Sequence, residues 1–451
     1  MLLPLFFLLN APHGLAQRQL KQQKIAKNVI FFIGDGMGCA TITGARIWAY
    51  GSEGSLNLEK FPVSGLVKTY SSSDYVTDSA ASGTALASGI KTYNGAIGLT
   101  DPAYDPTKKP RKLETLLNLA KKLGKSVGVV STAKVTDATP ASFYAHVKKR
   151  YLEDKIAQQL EYSSVDLILG GGRSQFFPPS WSDPVSGKPG LRDDKLDLIA
   201  RLMKRDWVYV KNKKELWSQD LKKISNKKII GLFHYDHMTY DLERRQKQIS
   251  IEPSLSEMVE FAVDRLSKNK NGFFLVVEGG RIDHAAHVND AENVFSEVIA
   301  FDKSIGIARK LTSERDTLFV ITADHETGGL SLSGYKGRKE TRGRSFLGKE
   351  VNFSNPNRFL VSFATGPHHP QSKKYNVNKD HPALYYAKVA AHTASDVPIL
   401  ALGPKSELFS GFMSNEEVAW KIAKAMNTRF ERKANIENHR IIRSATQLTR
   451  K

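Results

Sequence analysis

Apolar runs and helical segments alternate along this 451-residue chain. That alternation predicts an α/β fold: a doubly wound, mostly parallel central sheet flanked by helices, with a small surface excursion. Three observations carry the prediction. Asn28–Ile33, Ser126–Ser131, Val165–Leu169, Phe273–Val277 and Thr317–Thr322 are largely apolar runs, as strands buried on both faces are. Segments with apolar residues at helical spacing separate them. The runs also end repeatedly in acids, hydroxyls and imidazoles, and a doubly wound fold forms its sites beyond the carboxyl ends of its strands.

Hydrophobic residues make up 41% of the chain and charged residues 25%, which leaves ample matter for a core. The formal net charge of +20 attracts anions, whether phosphate substrates, nucleic acid or acidic lipid headgroups. Leu2–Leu9 is apolar and Gly14-Leu15-Ala16 suits cleavage, so residues 1–16 are expected to be a signal peptide, although a basic start is missing. No other run approaches the roughly 18 apolar residues of a membrane span. The expected location is therefore exported, periplasmic or extracellular. Cys39 is the single cysteine, so no internal disulfide forms, and it is expected to be a small buried filler.

In chain order, the strand Asn28–Ile33 breaks at Gly34-Asp35-Gly36-Met37-Gly38. A carboxylate between glycines at a strand end is either a ligand or a turn aspartate bonded to its own backbone. After a strand over Leu66–Tyr70, Asp78 precedes the small-residue run Ala80–Gly89. Asp78 caps a tightly packed helix, and Ser79 stands in its first turn, either as a nucleophile for an anion or as part of the cap. A helix over Leu113–Leu123 precedes the strand Ser126–Ser131. A second helix begins near Thr139, with Pro140 in its first turn, and is expected to run to about Val147. Lys148-Lys149-Arg150 then reads as its solvated end. Asp193–Lys204 is helical, and Lys227–Phe233 leads into His234-Tyr235-Asp236-His237, where two histidines and an aspartate could bind metal but a polar loop is the stronger reading. Helix Ser254–Lys268 is followed by strand Phe273–Val277, which ends in Glu278-Gly279-Gly280-Arg281-Ile282-Asp283-His284-Ala285-Ala286-His287. Asp283 and His287 are one helical turn apart, a spacing that lets carboxylate and imidazole share a zinc ion. Helix Ala291–Leu311 and strand Thr317–Thr322 lead to Asp324-His325. Residues 331–390 form the excursion, with a strand over Arg358–Ala364. His368-His369 reads as loop, and His392 on its own reads as structural. Pro398–Leu402 is a short strand, Ser414-Asn415-Glu416-Glu417 opens a last helix to about Met426, and residues 428–451 are a basic tail.

Six of these blocks, Gly34–Gly38, Val76–Ser82, Asp137–Ala141, Glu278–His284, Thr322–His325 and His392-Thr393, resemble those of the alkaline phosphatases in the family's order. The resemblance runs from about residue 28 to 427, and it makes 17–427 the expected catalytic domain. It implies metal-dependent hydrolysis of phosphate monoesters through a covalent phosphoserine. Ser79 matches the nucleophile and Arg150 the arginine that grips phosphate. Asp283, His287 and His392 match the ligands of one zinc, and Asp35, Asp324 and His325 those of a second. Asp35, Thr139 and Glu278 match the ligands of a magnesium. Asp137 and His284 fall beside that third site as a mixed pair: bacterial members often pair Asp with Lys there, vertebrate members two histidines. A homodimer is also implied, and no specific nucleic acid.

Two other readings are weighed. One is a related metallo-hydrolase of phosphodiesters or sulfate esters: a diesterase typically has threonine at the Ser79 position and lacks Arg150 and the third ligand set, and a formylglycine sulfatase needs Cys or Ser in a different signature, which the chain does not carry. A basic anion-binding protein without catalysis explains the charge but not the ligands. That charge suits concentrating phosphate esters, or weak association with an anionic envelope surface.

Overall fold

The computed structural model describes residues 25–431 except 105–108, 219–220, 222, 225–226, 333–346, 348–360 and 370–380. The expected signal peptide and nearly all of the expected basic tail lie outside these residues, as does much of the excursion.

Ten strands form the main sheet: β1 (Asn28–Gly34), β2 (Val63–Lys68), β3 (Ser126–Lys134), β4 (Leu167–Gly171), β5 (Trp207–Val210), β6 (Lys228–Leu232), β7 (Phe273–Gly279), β8 (Thr317–Thr322), β14 (Val397–Leu402) and β15 (Gly411–Ser414). Their spatial order is β15-β2-β14-β8-β1-β7-β3-β4-β6-β5. All neighbours pair parallel except β14, which runs antiparallel to both β2 and β8. The fold is thus α/β, with a large, mostly parallel central sheet and flanking helices. Strands β7 and β8 are buried at every residue, and β1 at all but its first. Helices cover both faces of such a sheet, which is why these runs are continuously apolar rather than alternating. In register, Ile33 of β1 stands beside Glu278 of β7 and Thr322 of β8, so three strands end level with one another.

Five smaller strands form two further sheets: β9 (Glu326–Thr327) pairs with β13 (His392–Thr393), and β11 (Val361–Gly366) lies between β10 (Ser331–Leu332) and β12 (Ala383–Tyr386). The last three fall in the described part of the excursion.

Two of the long helices match their expected starts. Ser254 and Glu257 form a capping box on Leu255–Leu266, as do Ser414 and Glu417 on Asn415–Ala425. Two expectations fail. The helix after Asp137 spans only Ala138–Ala141. Beyond it Val147 exchanges two backbone hydrogen bonds with Ile97, and that long-range pairing draws the chain out of the helix. Cys39 is exposed rather than buried, because it begins the helix Cys39–Tyr50 and projects from its first turn.

Candidate active site

The helix Ser79–Ser88 is buried at all ten residues, and Asp78 caps it by accepting from the Ala81 N–H at 3.0 Å. Its small side chains let neighbouring backbone approach. A Cβ on Gly83 would lie 2.9 Å from Ser142 Oγ and 3.3 Å from Thr139 Cα. The nucleophile candidate and the Thr139 segment are therefore pressed together. Ser79, 2% exposed, holds its Oγ 3.1 Å from His325 Nε2.

Asp35 follows β1 directly and Asp324 follows β8 after one residue. Asp324 Oδ1 accepts from the backbone N–H groups of Gly36 and His325, at 3.2 and 2.9 Å. Its other oxygen, Oδ2, is buried without a hydrogen-bond partner and lies 3.2 Å from His325 Nε2. Asp35 Oδ1 is orphaned in the same way, 3.7 Å from that nitrogen. Asp283 and His287 share the helix Arg281–His287, with His287 Nε2 3.1 Å from Asp283 Oδ2. His392, on β13, places its Nε2 3.2 Å from His287 Nε2 and 3.6 Å from Asp283 Oδ1. The rings of His325 and His392 stack at 3.6 Å, so the two groups of ligands adjoin. Thr139 Oγ1 is a third buried atom without a hydrogen-bond partner, and Glu278 is buried at the end of β7.

The imidazole tautomers follow from the partners of Nδ1. His287 Nδ1 donates to Ala390 O at 2.6 Å and His392 Nδ1 to Thr77 O at 3.0 Å. His325 Nδ1 meets the Thr327 hydroxyl at 3.3 Å. Each Nε2 therefore points a lone pair at carboxylate oxygens, and in one case at another lone pair. Only a cation, either a shared proton or a metal ion, satisfies such a meeting of acceptors. Neutral imidazole and carboxylate are the ligands zinc takes.

The electrostatics agree. Burial, then the charges of Asp324, Asp283, Glu278 and Asp137, push Asp35 well above the usual carboxylate range. Burial pushes Glu278 up to about 8, and burial with the Asp283 charge pushes Asp324 up to about 7. Burial would raise Asp283 too, but His287, His392 and His325 outweigh it and hold it well below the usual range. Burial keeps His325 and His392 neutral. His287 goes the other way: burial would lower it, but the Asp283 carboxylate raises it, so that pair competes for a proton where a divalent cation would sit.

Arg150 is not a solvated helix end. Its guanidinium bridges Asp137 Oδ1 at 3.0 Å and Asp78 Oδ2 at 3.4 Å, beside the first turn that carries Ser79. Asp137 Oδ2 faces His237 Nδ1 at 3.7 Å and His284 Nε2 at 3.8 Å. The reading of His237 as a plain polar loop thus misses its place: its ring packs on that of His284 at 4.2 Å. The signal was available, since His237 also follows a strand end, β6. Asp137, His237 and His284 form a cluster of ligand type, but with the opposite tautomers. His237 Nδ1 accepts from the Lys134 N–H at 3.1 Å, and His284 Nδ1 accepts from Arg281 at 3.0 Å. Their Nε2 atoms keep the protons, so this cluster reads as support for Asp137 and not as a metal site.

Comparisons with known proteins agree with this geometry. The family model described as alkaline phosphatase matches residues 26–428. The chain belongs to the alkaline phosphatase family. The Gadus morhua alkaline phosphatase is 35% identical over 444 residues, covering 88% of this chain and 91% of that one. The Homo sapiens tissue-nonspecific isozyme is 34% identical over 434 residues, covering 86% and 81%. The structure of alkaline phosphatase from the Antarctic bacterium TAB5 superposes with a TM-score of 0.70 at 31% identity, covering 90% of this chain and 100% of that one. The enzyme is a metal-dependent hydrolase of phosphate monoesters. Among the described residues no helix is long and apolar enough to cross a membrane.

Proposed function

We propose that Ser79 is the nucleophile and that three sets of side chains hold metal around it. Asp283, His287 and His392 take one zinc, Asp35, Asp324 and His325 a second, and Asp35, Thr139 and Glu278 a magnesium. The observation that carries the proposal is the convergence of three imidazole nitrogens with two orphaned carboxylate oxygens, the His325 nitrogen among them lying 3.1 Å from the Ser79 hydroxyl. A TAB5 alkaline phosphatase mutant with magnesium bound in its M3 site supports magnesium as the third metal. Bound there, the ions supply Lewis-acid stabilisation of the attacking and leaving oxygens.

The chain's own groups do the rest. Ser79 stands at the positive end of a helix dipole, which favours an anionic phosphoryl group. Arg150 is fixed by Asp137 and Asp78, so its fork is oriented before substrate arrives and spends little entropy in gripping two phosphate oxygens. Ser79 Oγ bonds to phosphorus as the ester P–O bond breaks and the alcohol leaves. Water then cleaves the Oγ–P bond and releases inorganic phosphate.

The apolar leader supports export to the periplasm or the extracellular space, and family membership supports a homodimer. The charge of +20 supports weak contact with an anionic envelope surface. The central reading is tested by hydrolysis of a chromogenic phosphate monoester and its diester analogue, with chelator and then with zinc and magnesium restored. Monoester turnover should vanish with chelator and return with metal, far above diester turnover. Preferred diester turnover, or chelator-resistant activity, would contradict it.

A further inference from the structure

The second nitrogens of the three converging imidazoles are not held alike. His287 and His392 hand Nδ1–H to backbone carbonyls, whereas His325 hands its own to a side chain, Thr327 Oγ1, at 3.3 Å. The same hydroxyl lies 2.5 Å from Asp283 Oδ1. A threonine hydroxyl has one proton to give and lone pairs to receive with. The short contact to the carboxylate takes the hydroxyl proton, Thr327 Oγ1–H donating to Asp283 Oδ1. His325 Nδ1 must then be the donor to the hydroxyl. The relay runs from His325 Nδ1–H to Thr327 Oγ1, and from Thr327 O–H to Asp283 Oδ1.

Its two ends belong to different ligand sets, one with Asp35 and Asp324, the other with His287 and His392. Thr327 is 1% exposed, so solvent does not stand in for its hydroxyl. The residue is pinned on two further sides. Its N–H donates to Gly36 O at 3.3 Å, and it pairs in register with His392 across β9 and β13. Gly36, at φ +71°, makes room for it: a Cβ there would lie 2.8 Å from Thr327 Oγ1.

We propose that Thr327 is a positioning residue shared by two metal centres, its hydroxyl fixing the tautomer of His325 in one and the aim of Asp283 in the other. The proposal rests on the ligand sets assigned above. It makes one buried hydroxyl a coupling between two zinc ions: removing it loosens a ligand of each.

The test is a zinc titration of the metal-free enzyme against a competing chromophoric chelator, for wild type, Thr327→Val and Thr327→Ser. Valine keeps the shape and removes the hydroxyl, while serine keeps the hydroxyl. Thr327→Val should bind both tight zinc equivalents about 10- to 100-fold more weakly, the usual effect of losing such an outer partner. Thr327→Ser should stay within a few-fold of wild type. Unchanged binding in Thr327→Val overturns the proposal, as does weakening of one equivalent alone or a serine variant as weak as valine. Should the valine variant not fold by circular dichroism, Thr327→Ala against Thr327→Ser makes the same comparison. A wild type that binds no zinc is a different failure, since it sinks the ligand sets themselves.

Discussion

Glu278 and Asp324 show what the site costs a single residue. Burial and neighbouring charge push them up to about 8 and about 7, so at pH 7 the metal-free enzyme holds protons that ordinary carboxylates would have shed. A divalent cation must displace them. Metal binding at pH 7 should therefore release on the order of one proton or more per enzyme, and affinity should rise with pH through this range. Calorimetric titration in buffers of different ionisation enthalpy reads the number, and no proton release would contradict the crowding of these acids. Most single ligands were legible in the sequence because each follows an apolar run: Asp35, Glu278, Asp283, Asp324 and His325 all do. His392 was legible only through the family resemblance, since one imidazole in a short polar stretch carries no pattern. His237 follows β6 in a stretch that could bind metal, but nothing local says which strand ends meet. Thr327 is invisible for a stronger reason. A threonine after Asp-His-Glu has no signal of its own, and its role exists only as two distances to residues far away or two positions back.

At the scale of the element, the helix Ser79–Ser88 shows how a run of small residues becomes a mechanism. Propensity alone would favour alanine over glycine at position 83, by about 1 kcal/mol. Packing reverses this. The added Cβ would lie 2.9 Å from Ser142 Oγ, which cannot swing away freely because it donates to Ala138 O at 2.7 Å. Thr139 Cα, at 3.3 Å, is backbone and yields less. Gly83→Ala should thus destabilise the enzyme by about 1–3 kcal/mol, the cost of overpacking, and lower kcat by moving Ser79 against the Thr139 segment. Thermal unfolding and steady-state kinetics check both parts. A variant as stable and active as wild type would show that the close approach does not matter. A neighbouring contact explains the length of the Thr139 helix. Thr139-Pro140 rightly announced a helix, but its length was set by the pairing of Val147 with Ile97, and a long-range backbone contact leaves no trace in local spacing.

Across the whole molecule, the sheet brings β8, β1, β7 and β3 side by side, and the ligands follow from their shared direction. The parallel centre was readable, because buried strands on both faces are continuously apolar. The antiparallel direction of β14 leaves no mark in its run, and the short outer strands β5 and β15 are illegible because short runs at sheet edges lack that continuity. Charge is the other property of this scale. A net charge of +20 steers anionic esters toward the protein, so kcat/KM for a dianionic monoester should fall several-fold from about 20 to 300 mM salt as screening shortens the field. A rate indifferent to salt would mean that the charge serves some other contact.

The reaction turns on Ser79 receiving the phosphoryl group. The most direct measurement is an acid quench of the metal-loaded enzyme during monoester turnover, followed by mass mapping of the modified residue. A single added phosphate on Ser79, absent in Ser79→Ala, is the predicted result. Phosphate on another residue, or full turnover by Ser79→Ala, would contradict the account.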